Sequence, residues 1–328
     1  MSRSFAPQVR LAGVERRPQR CITLSIMRTL GSVPALGSQD CQVWWARLSA
    51  YAHRHQELLN RIEARRRDRY RLGADRERFT LTVALSRILL GELLLMPADQ
   101  VEIDRTCSRC GEPHGRPRVK AGIGPDLDLS ISHSGELIGV AVTAARSGSD
   151  GAMRAVGLDI EKIAPLREPS LPDATLSAAE RADFDVLDPR AQRCAFYRYW
   201  VRKESVLKAT GDGLAIPLAR LTVSSPEQHA ELVEWVGRSH HAAPIFVHDL
   251  AAVPGYVASI AFLGKGATVS EFDALPLLSR PAGTVGCLSC PGRDRGSQRG
   301  AAAWRALNLD AAADSLDSVA QADETRTA

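Results

Sequence analysis

The feature that most constrains this chain is a pair of charged segments, one patterned like a strand and the other like a helix. In AVGLDIEK, residues 155–162, Asp159 and Glu161 stand two positions apart within an apolar run. Because alternate side chains of a strand lie on one face, the two carboxylates are expected to project together. Carboxylates at this spacing suit Mg²⁺, whereas two solvent-facing carboxylates at a strand end are the structural alternative.

The second segment, YWVRKESVLKATGDGL at residues 199–214, predicts a helix that ends at Gly211. Trp200, Glu204 and Lys208 recur every four residues and should share one face of that helix. Lys203 adds a second ammonium group. A solvated Glu–Lys pair is the structural alternative for the helix alone. Taken together, three carboxylates and two ammonium groups indicate a metal-dependent enzyme that acts on a phosphorylated substrate.

Two further groups of residues have chemical potential. Ser132 and His133 open a short turn between two apolar strands, where hydroxyls and exposed N–H groups can hold a phosphate; a tight hairpin with a satisfied histidine is the alternative. Cys107, Cys110 and His114 suggest zinc, but a structural zinc site needs four ligands. Cys287 and Cys290 are the candidates to complete it, while reduced thiols in a tight loop are the simpler interpretation.

Composition bounds the class of protein. In the 328 residues, 45% are hydrophobic and 24% charged, as in globular proteins. A net charge of +4 gives no indication of nucleic-acid binding, and we expect no membrane partner because no apolar run approaches the ~18–20 residues that span a bilayer. The seven cysteines form no regular framework, and the N-terminus lacks a secretory signal pattern. The sequence therefore predicts a cytoplasmic protein.

Changes in composition along the chain predict four regions. Residues 1–40 are expected to be a flexible extension and residues 41–148 an N-terminal half. Residues 149–264 form a C-terminal half that contains the metal and catalytic motifs, after a Gly/Ser-rich boundary near 146–154. Residues 265–328 are rich in Ala, Gly, Ser, Arg and Asp and are expected to be a disordered tail.

Four motifs in order resemble those of the 4′-phosphopantetheinyl transferase superfamily, in particular its Sfp-type branch, and the CxxCGxxHGRP loop at 107–117 resembles that of actinobacterial members. The four motifs are GRP at 115–117, SISHSG at 130–135, GLDIEK at 157–162 and WVRKESVLKATGDGL at 200–214. The resemblance covers roughly residues 40–264. It implies an α+β fold of two similar α/β halves with pseudo-twofold symmetry, and coenzyme A bound between them.

The resemblance also implies an activity and its partners. The enzyme would move the 4′-phosphopantetheine moiety of coenzyme A, its co-substrate, to a serine of apo acyl carrier proteins or peptidyl carrier domains. It would release 3′,5′-ADP as a Mg²⁺-dependent holo-carrier-protein synthase, with Mn²⁺ as the alternative ion. Two halves in one chain make a monomer sufficient.

The resemblance carries specific roles onto this sequence. Asp159, Glu161 and Glu204 match the metal ligands, and Glu204 would also take the proton from the carrier serine. Lys208 would stabilise the leaving group. The cofactor-binding set is Arg66, Arg69, Arg78, Gly115, Arg116, Pro117, Ser132, His133, Lys203 and Lys208. The arginines of residues 65–78 are also candidates for docking an acidic carrier, although a solvated charged face is the alternative.

Three alternatives remain open from the sequence. A basic zinc module using Cys107, Cys110 and His114 could contact nucleic acid, but that function leaves the two charged segments unexplained. A metal-dependent phosphodiesterase or nucleotidyl transferase could use the same three carboxylates. An inactive relative would keep the fold without the reaction.

Overall fold

The fold is α+β, as predicted. The computed structural model describes residues 28–280, apart from 108–109, 114, 121–125, 148–151, 167, 239–242 and 252. The strands are β1 Arg28–Thr29, β2 Asp40–Arg47, β3 Ile103–Asp104, β4 Arg118–Val119, β5 Leu127–Ser134, β6 Leu137–Ala144, β7 Arg146–Ser147, β8 Ala152–Lys162, β9 Leu221–Val223, β10 Leu232–Trp235, β11 Ile245–Asp249, β12 Tyr256–Gly264 and β13 Thr268–Asp273. The α-helices are α1 Arg61–Asp68, α2 Gly73–Leu94, α3 Leu171–Thr175, α4 Ala178–Asp185, α5 Pro189–Thr210 and α6 Leu275–Leu278.

Each half is built around one sheet and one long helix. The N-terminal sheet has the strand order β1-β13-β2-β6-β5, and the C-terminal sheet has the order β11-β12-β8-β7. Helices α2 and α5 are each 22 residues long and belong to the first and the second half respectively. The pseudo-twofold relation and the half boundary at 148/149 stay predictions.

The apolar core lies in three layers between these elements. Leu81 and Leu85 of α2 pack on Trp44 and its neighbours in the N-terminal sheet. The other face of that sheet, through Trp45, meets Leu158 and residues near it in the C-terminal sheet. Helix α5 packs on the far side of the second sheet. Since each fully buried large apolar side chain contributes about 1.5–3 kcal/mol, this shared core holds the two halves together.

A ladder of hydrogen bonds joins the halves along β5 and β8. The backbone N–H groups of Val156, Leu158, Ile160 and Lys162 donate to side chains of β5 at 2.7–3.4 Å. The acceptors are Asp128, Ser130, Ser132 and Ser134, in that order. The polar alternation of LDLSISHS therefore satisfies the outward N–H groups of a neighbouring strand, which would otherwise be left unpaired.

The prediction that a disordered tail begins at residue 265 is wrong for residues 268–279. Strand β13 pairs in parallel with both β2 and β1, and so becomes an inner strand of the N-terminal sheet. Glu271 of β13 accepts a hydrogen bond from Trp45 Nε1 at 2.8 Å. The carbonyl of Leu278 accepts one from Arg54. Residues 281–328, predicted to be disordered, and residues 1–27, predicted to be flexible, lie outside the described residues.

The expected flexible extension at 1–40 also needs correction where it can be followed. Arg28 and Thr29 pair with Phe272 and Asp273 of β13, and Val33 is buried in the N-terminal core. None of the helices in the described part of the chain has the length and apolar composition to cross a membrane.

Candidate active site

A cleft of about 390 Å³ lies between the two halves and gathers most of the predicted functional residues. The N-terminal half contributes side chains from α1, α2 and β5, and the C-terminal half contributes side chains from β8 and α5. The lining consists of Arg66, Tyr70, Phe79, Thr82, Val83, Arg105, Pro117, Ile131, Ser132, His133, Asp159, Glu161, Trp200, Glu204 and Lys208.

Helix α5 is placed by its ends. Asp188 caps it by accepting from the N–H groups of Arg190 and Ala191, and Pro189 supplies a preset first residue. Gly211 ends the helix with φ at 80°, a conformation that glycine adopts without strain. The end at Gly211 agrees with the sequence prediction, and the helix presents Trp200, Glu204 and Lys208 to the cleft.

Gly157 allows α5 to lie directly against β8. A Cβ atom on Gly157 would come within 2.0 Å of the Ser205 carbonyl oxygen and 2.3 Å of the Ala209 nitrogen. Only a residue without a side chain fits between the strand and the backbone of the helix. This close approach brings Asp159 and Glu161 of β8 to the same side as Glu204 and Lys208, as the sequence predicts.

Lys208 is the positive centre of this cluster. Its Nζ donates to Asp159 Oδ1 at 2.5 Å and to Ser132 Oγ at 3.0 Å. Asp159 is 3% exposed, so its carboxylate has left water and depends on such partners. Ser132 also donates to Asp159 Oδ1, at 2.9 Å. A lysine, a serine and an aspartate from three elements therefore meet at one point.

The carboxylates of this cluster lack some of the hydrogen bonds and positive charge that buried carboxylates need. Asp159 Oδ2 and Glu204 Oε1 are buried and have no hydrogen-bond partner in the described part of the chain. Burial and then the charge of Asp159 raise the pKa of Glu204 to about 7, although Lys208 acts in the opposite direction. Burial likewise raises the pKa of Glu161. The site therefore has room for additional positive charge.

The donor set fits a hard divalent cation, although the side chains do not yet surround one. Among residues that the structure describes, no three His, Cys, Asp or Glu side chains are grouped closely enough to hold a metal ion. Two unpaired carboxylate oxygens are nevertheless the type of ligand that Mg²⁺ prefers. A cation held by Asp159, Glu161 and Glu204 would relieve the repulsion among these carboxylates.

The predicted phosphate-binding role of Lys203 is wrong in this structure. Its side chain is fully buried on the opposite side of α5, where Nζ donates to Glu180 and to the carbonyls of Thr175 and Leu218. All three ammonium hydrogens thus have acceptors inside the C-terminal half. Lys203 fixes α5 from behind and does not line the cleft.

The GRP motif divides into structural and cleft-facing residues. Pro117 lines the cleft, as expected. Arg116 instead donates to Asp128 and to the carbonyls of Val156 and Ala209, so it ties the two halves together. Gly115 lies 2.7–2.9 Å, measured from its would-be Cβ, from the backbone of Thr106 and Cys107. The expected ligand contacts of Gly115 and Arg116 are therefore corrected to roles in loop packing and in the joint between the halves.

Of the three arginines chosen from the sequence, one lies in the cleft. Arg66 lines it and stacks over the Phe79 ring at 5.6 Å. Arg69 is exposed at the end of α1 and does not line the cleft, which corrects its assignment. Arg78 donates to Asp75 and to the Gly135 carbonyl; it lies outside the lining but beside the end of β5, the strand that contains His133 and in which the sequence placed a turn.

The sequence did not single out Arg105, Tyr70 and Phe79 as cleft residues. Burial and then the charge of Arg66 lower the pKa of Arg105, so two guanidinium groups lie near each other at one end of the cleft. Arg105 follows strand β3, whose pairing with β4 brings it there. No local pattern marks it, because the placement depends on a long-range backbone pairing.

His133 lines the cleft beside Ser132, as predicted. Desolvation within the cleft and the charges of Arg78 and Lys208 lower its pKa, which keeps the imidazole neutral at pH 7. A neutral ring can donate one hydrogen bond and accept another. The zinc hypothesis is not tested, since His114, Cys287 and Cys290 lie outside the described residues.

Comparison with known proteins agrees with this geometry. The model of the family described as 4′-phosphopantetheinyl transferase superfamily matches residues 155–261, which include both charged segments. The chain is 27% identical to 4′-phosphopantetheinyl transferase psf-1 of Bacillus pumilus over 58% of this chain and 72% of that protein. It is 28% identical to 4′-phosphopantetheinyl transferase Sfp of Bacillus subtilis strain 168 over 52% of this chain and 70% of that protein.

A third relative extends the likeness to other bacteria. The 4′-phosphopantetheinyl transferase AcpT of Salmonella typhi is 36% identical over 98 residues, which make up 30% of this chain and 46% of that protein. The matched region of the family model contains Asp159, Glu161, Glu204 and Lys208, the residues that meet in the cleft. Residues 155–261 thus match the 4′-phosphopantetheinyl transferase superfamily, and the chain is similar to Sfp-type members of that family.

Proposed function

We propose that this protein transfers the 4′-phosphopantetheine arm of coenzyme A to a serine of apo acyl or peptidyl carrier proteins, with release of 3′,5′-ADP. The observation that carries this proposal is the meeting of Asp159, Glu161, Glu204 and Lys208 at the wall of one cleft between the halves. The three relatives described above are named as phosphopantetheinyl transferases, which supports the same reaction. In more specific terms, we propose that the protein is a holo-carrier-protein synthase.

Mg²⁺ is the metal that we infer, with Mn²⁺ as the alternative. Asp159, Glu161 and Glu204 would hold it, since the first and third of these carry buried oxygens without partners. When bound, the ion would neutralise negative charge on the pyrophosphate of coenzyme A. Chelation should therefore abolish the activity.

Glu204 is positioned to take a proton. Its side chain lines the cleft that the incoming serine would enter, and its Oε1 has no hydrogen-bond partner among the described residues. As the serine oxygen forms its bond to the phosphorus that carries pantetheine, its proton passes to the Glu204 carboxylate, directly or through a water molecule. The bond from that phosphorus to the bridging oxygen breaks, and the electron pair leaves with 3′,5′-ADP.

Lys208 and the C-terminal end of strand β5 would bind the phosphates. In the described structure Lys208 Nζ neutralises Asp159, and a metal on that carboxylate would leave the ammonium available to a phosphate oxygen. There it would stabilise the negative charge that develops on the leaving 3′,5′-ADP. Ser132 and His133 line the same wall and add hydrogen-bonding groups.

The other end of the cleft suits the 3′-phosphoadenosine portion of coenzyme A. Arg66 and Arg105 place two guanidinium groups there, and guanidinium groups bind phosphate through paired N–H donors. Tyr70 and Phe79, with ring centroids 5.6 Å apart, offer apolar surface for a base. Pro117 borders the same cleft.

Intact-protein mass spectrometry tests the function directly. An apo acyl carrier protein is incubated with this protein, coenzyme A and Mg²⁺, with matched samples containing chelator or the Glu204→Gln variant. We expect the carrier to gain one phosphopantetheine mass in the first sample alone. Cleavage of coenzyme A without gain of mass on any carrier would favour the phosphodiesterase alternative, and no reaction with folded protein would favour an inactive relative.

We also propose the oligomeric state, the cellular location and the partners of the protein. The cleft is formed by the two halves of one chain, so a monomer should suffice for activity. Cytoplasmic location and the absence of membrane and nucleic-acid partners rest on the composition. The same mass-spectrometric assay, run with carrier domains from fatty-acid, polyketide and non-ribosomal-peptide synthases, would identify the preferred carrier.

A further inference from the structure

The β5–β8 ladder repeats one arrangement at two successive positions. Ser132 accepts from the N–H of Ile160 and donates to the carboxylate of Asp159. Two residues later, Ser134 accepts from the N–H of Lys162 at 3.0 Å and donates to Glu161 Oε2 at 2.7 Å. Each serine therefore bonds both the side chain of an acidic residue and the backbone of the residue that follows it.

The first serine of the ladder shows what this arrangement lacks without an acidic partner. Ser130 accepts from the N–H of Leu158 at 2.9 Å, in the same register as the other two serines. The residue preceding Leu158 is Gly157, which has no side chain to orient. Ser130 therefore contributes to the joint between the halves without touching a carboxylate ligand.

We propose that Ser134 is a positioning residue that orients the Glu161 carboxylate toward the metal, so that the joint between the halves also sets the geometry of the ligand set. This inference rests on the metal assignment made above. A carboxylate with one oxygen held by a neighbouring hydroxyl has a defined direction for its other oxygen. Since Ser134 lies on the N-terminal half and Glu161 on the C-terminal half, the bond couples relative placement of the halves to metal affinity.

The test compares Ser134→Ala with Ser130→Ala. Both variants lose one ladder bond to a backbone N–H, but only the first loses a bond to a carboxylate. Mn²⁺ is titrated into each protein, and the free ion is followed by electron paramagnetic resonance, with coenzyme A present and no carrier protein. Because outer hydrogen-bond partners of metal ligands typically change affinity by 10–100-fold, we expect about tenfold weaker binding in Ser134→Ala and unchanged binding in Ser130→Ala.

The conservative variant Ser134→Thr keeps the hydroxyl and should restore the affinity. Equal Mn²⁺ affinity in the two alanine variants would overturn the inference, as would absence of Mn²⁺ binding by the wild-type protein. Failure of Thr to restore an affinity lost in Ala would assign the effect to packing and would also overturn it. Thermal unfolding checks that each variant is folded, and Ser134→Cys, a weak donor of similar size, replaces Ala if that variant does not fold.

Two results distinguish failure of the positioning role of Ser134 from failure of the proposed function. Transfer of phosphopantetheine by the wild type, together with Ser134-independent Mn²⁺ binding, would overturn the positioning role alone. Ser134-dependent Mn²⁺ binding without transfer to any carrier would overturn the function and leave the positioning role standing.

Discussion

The ammonium of Lys203 lies 2.5 Å from Oε2 of Glu180, and the two side chains are 0% and 2% exposed. Glu180 also accepts from the backbone N–H groups of Ser177 and Val223. Burial lowers the pKa of Lys203, and Glu180 acts in the opposite direction, so each charge depends on the other. One ion pair thus connects α4, β9 and the hidden face of α5.

Lys203→Met should therefore destabilise the fold and leave the cleft chemistry intact. Removal of one partner from a buried ion pair typically costs about 3–5 kcal/mol, because the other charge is left uncompensated. Urea unfolding would measure the change. Arg181→Ala removes two exposed ion pairs, with Asp173 and Asp185, from α4, the helix that carries Glu180; it is the matched control, for which we expect little change. A normal unfolding midpoint for Lys203→Met, with loss of coenzyme A affinity, would restore the phosphate-binding role.

Helical geometry explains why sequence motifs alone misplaced Lys203. Adjacent residues of a helix are separated by about 100° around the axis, so Lys203 and Glu204 point in different directions. The four-residue spacing correctly grouped Trp200, Glu204 and Lys208. The motif described these residues as one unit, whereas the helix divides them between the cleft and the core.

Glu204→Gln should separate activity from stability. The amide cannot accept the serine proton, so we expect turnover to fall by orders of magnitude. The folded-state pKa of Glu204 is raised to about 7 by burial and by Asp159, whereas an unburied glutamate titrates near 4.5. The folded protein therefore loses stability as pH rises through this range, and metal-free Glu204→Gln should be at least as stable as the wild type at pH 8.

Thermal unfolding at pH 5 and pH 8, in the presence of chelator, would check this sign. The advantage of Glu204→Gln over wild type should grow from the lower to the higher pH. Glu234→Gln, an exposed substitution on β10, is the control for loss of a charge elsewhere. An advantage of Glu204→Gln that is greatest at pH 5 would contradict the electrostatic account, and near-normal turnover would remove Glu204 from the mechanism.

The contact between Gly157 and α5 predicts a specific defect at a residue that carries no functional group. Gly157→Ala would place a methyl group 2.0 Å from the Ser205 carbonyl oxygen, so the helix must move away from β8. We expect lower thermal stability and weaker metal binding, since Glu204 would move relative to Asp159. Gly73→Ala, at a glycine with nothing within 4 Å of an added Cβ, is the control. Equal behaviour of the two variants would show that α5 is not fixed by this contact.

Local patterns predicted the strands that carry the site but not the long-range pairings around them. The alternation of polar and apolar residues in LDLSISHS places its serines on one face of the strand, and the structure uses that face to bind β8. Arg105 and β13 were missed for a related reason: each is placed by a partner far away in the sequence. Thr268–Asp273 is a short segment of mixed polar and apolar residues, and its parallel pairing with β2 and β1 shows that it is a sheet strand.

Truncation at the C-terminus is the sharpest test of this revised boundary. Removal of all residues after Lys265 deletes β13 and α6, which leaves β2 without its parallel partner and exposes the apolar groups around Trp44. The ring of Phe272 stacks on that of Trp44 at 4.6 Å, so the deletion also opens the core beneath α2. Loss of two buried leucines in α6 adds to the effect, since each contributes about 1.5–3 kcal/mol.

We expect insoluble or partly unfolded protein after this truncation, measured by circular dichroism and thermal unfolding. Truncation after Arg280 keeps β13 and α6 and is the matched control, for which cooperative unfolding is expected. If the shorter protein unfolded cooperatively at the same temperature as this control, β13 would not be an integral strand of the N-terminal sheet.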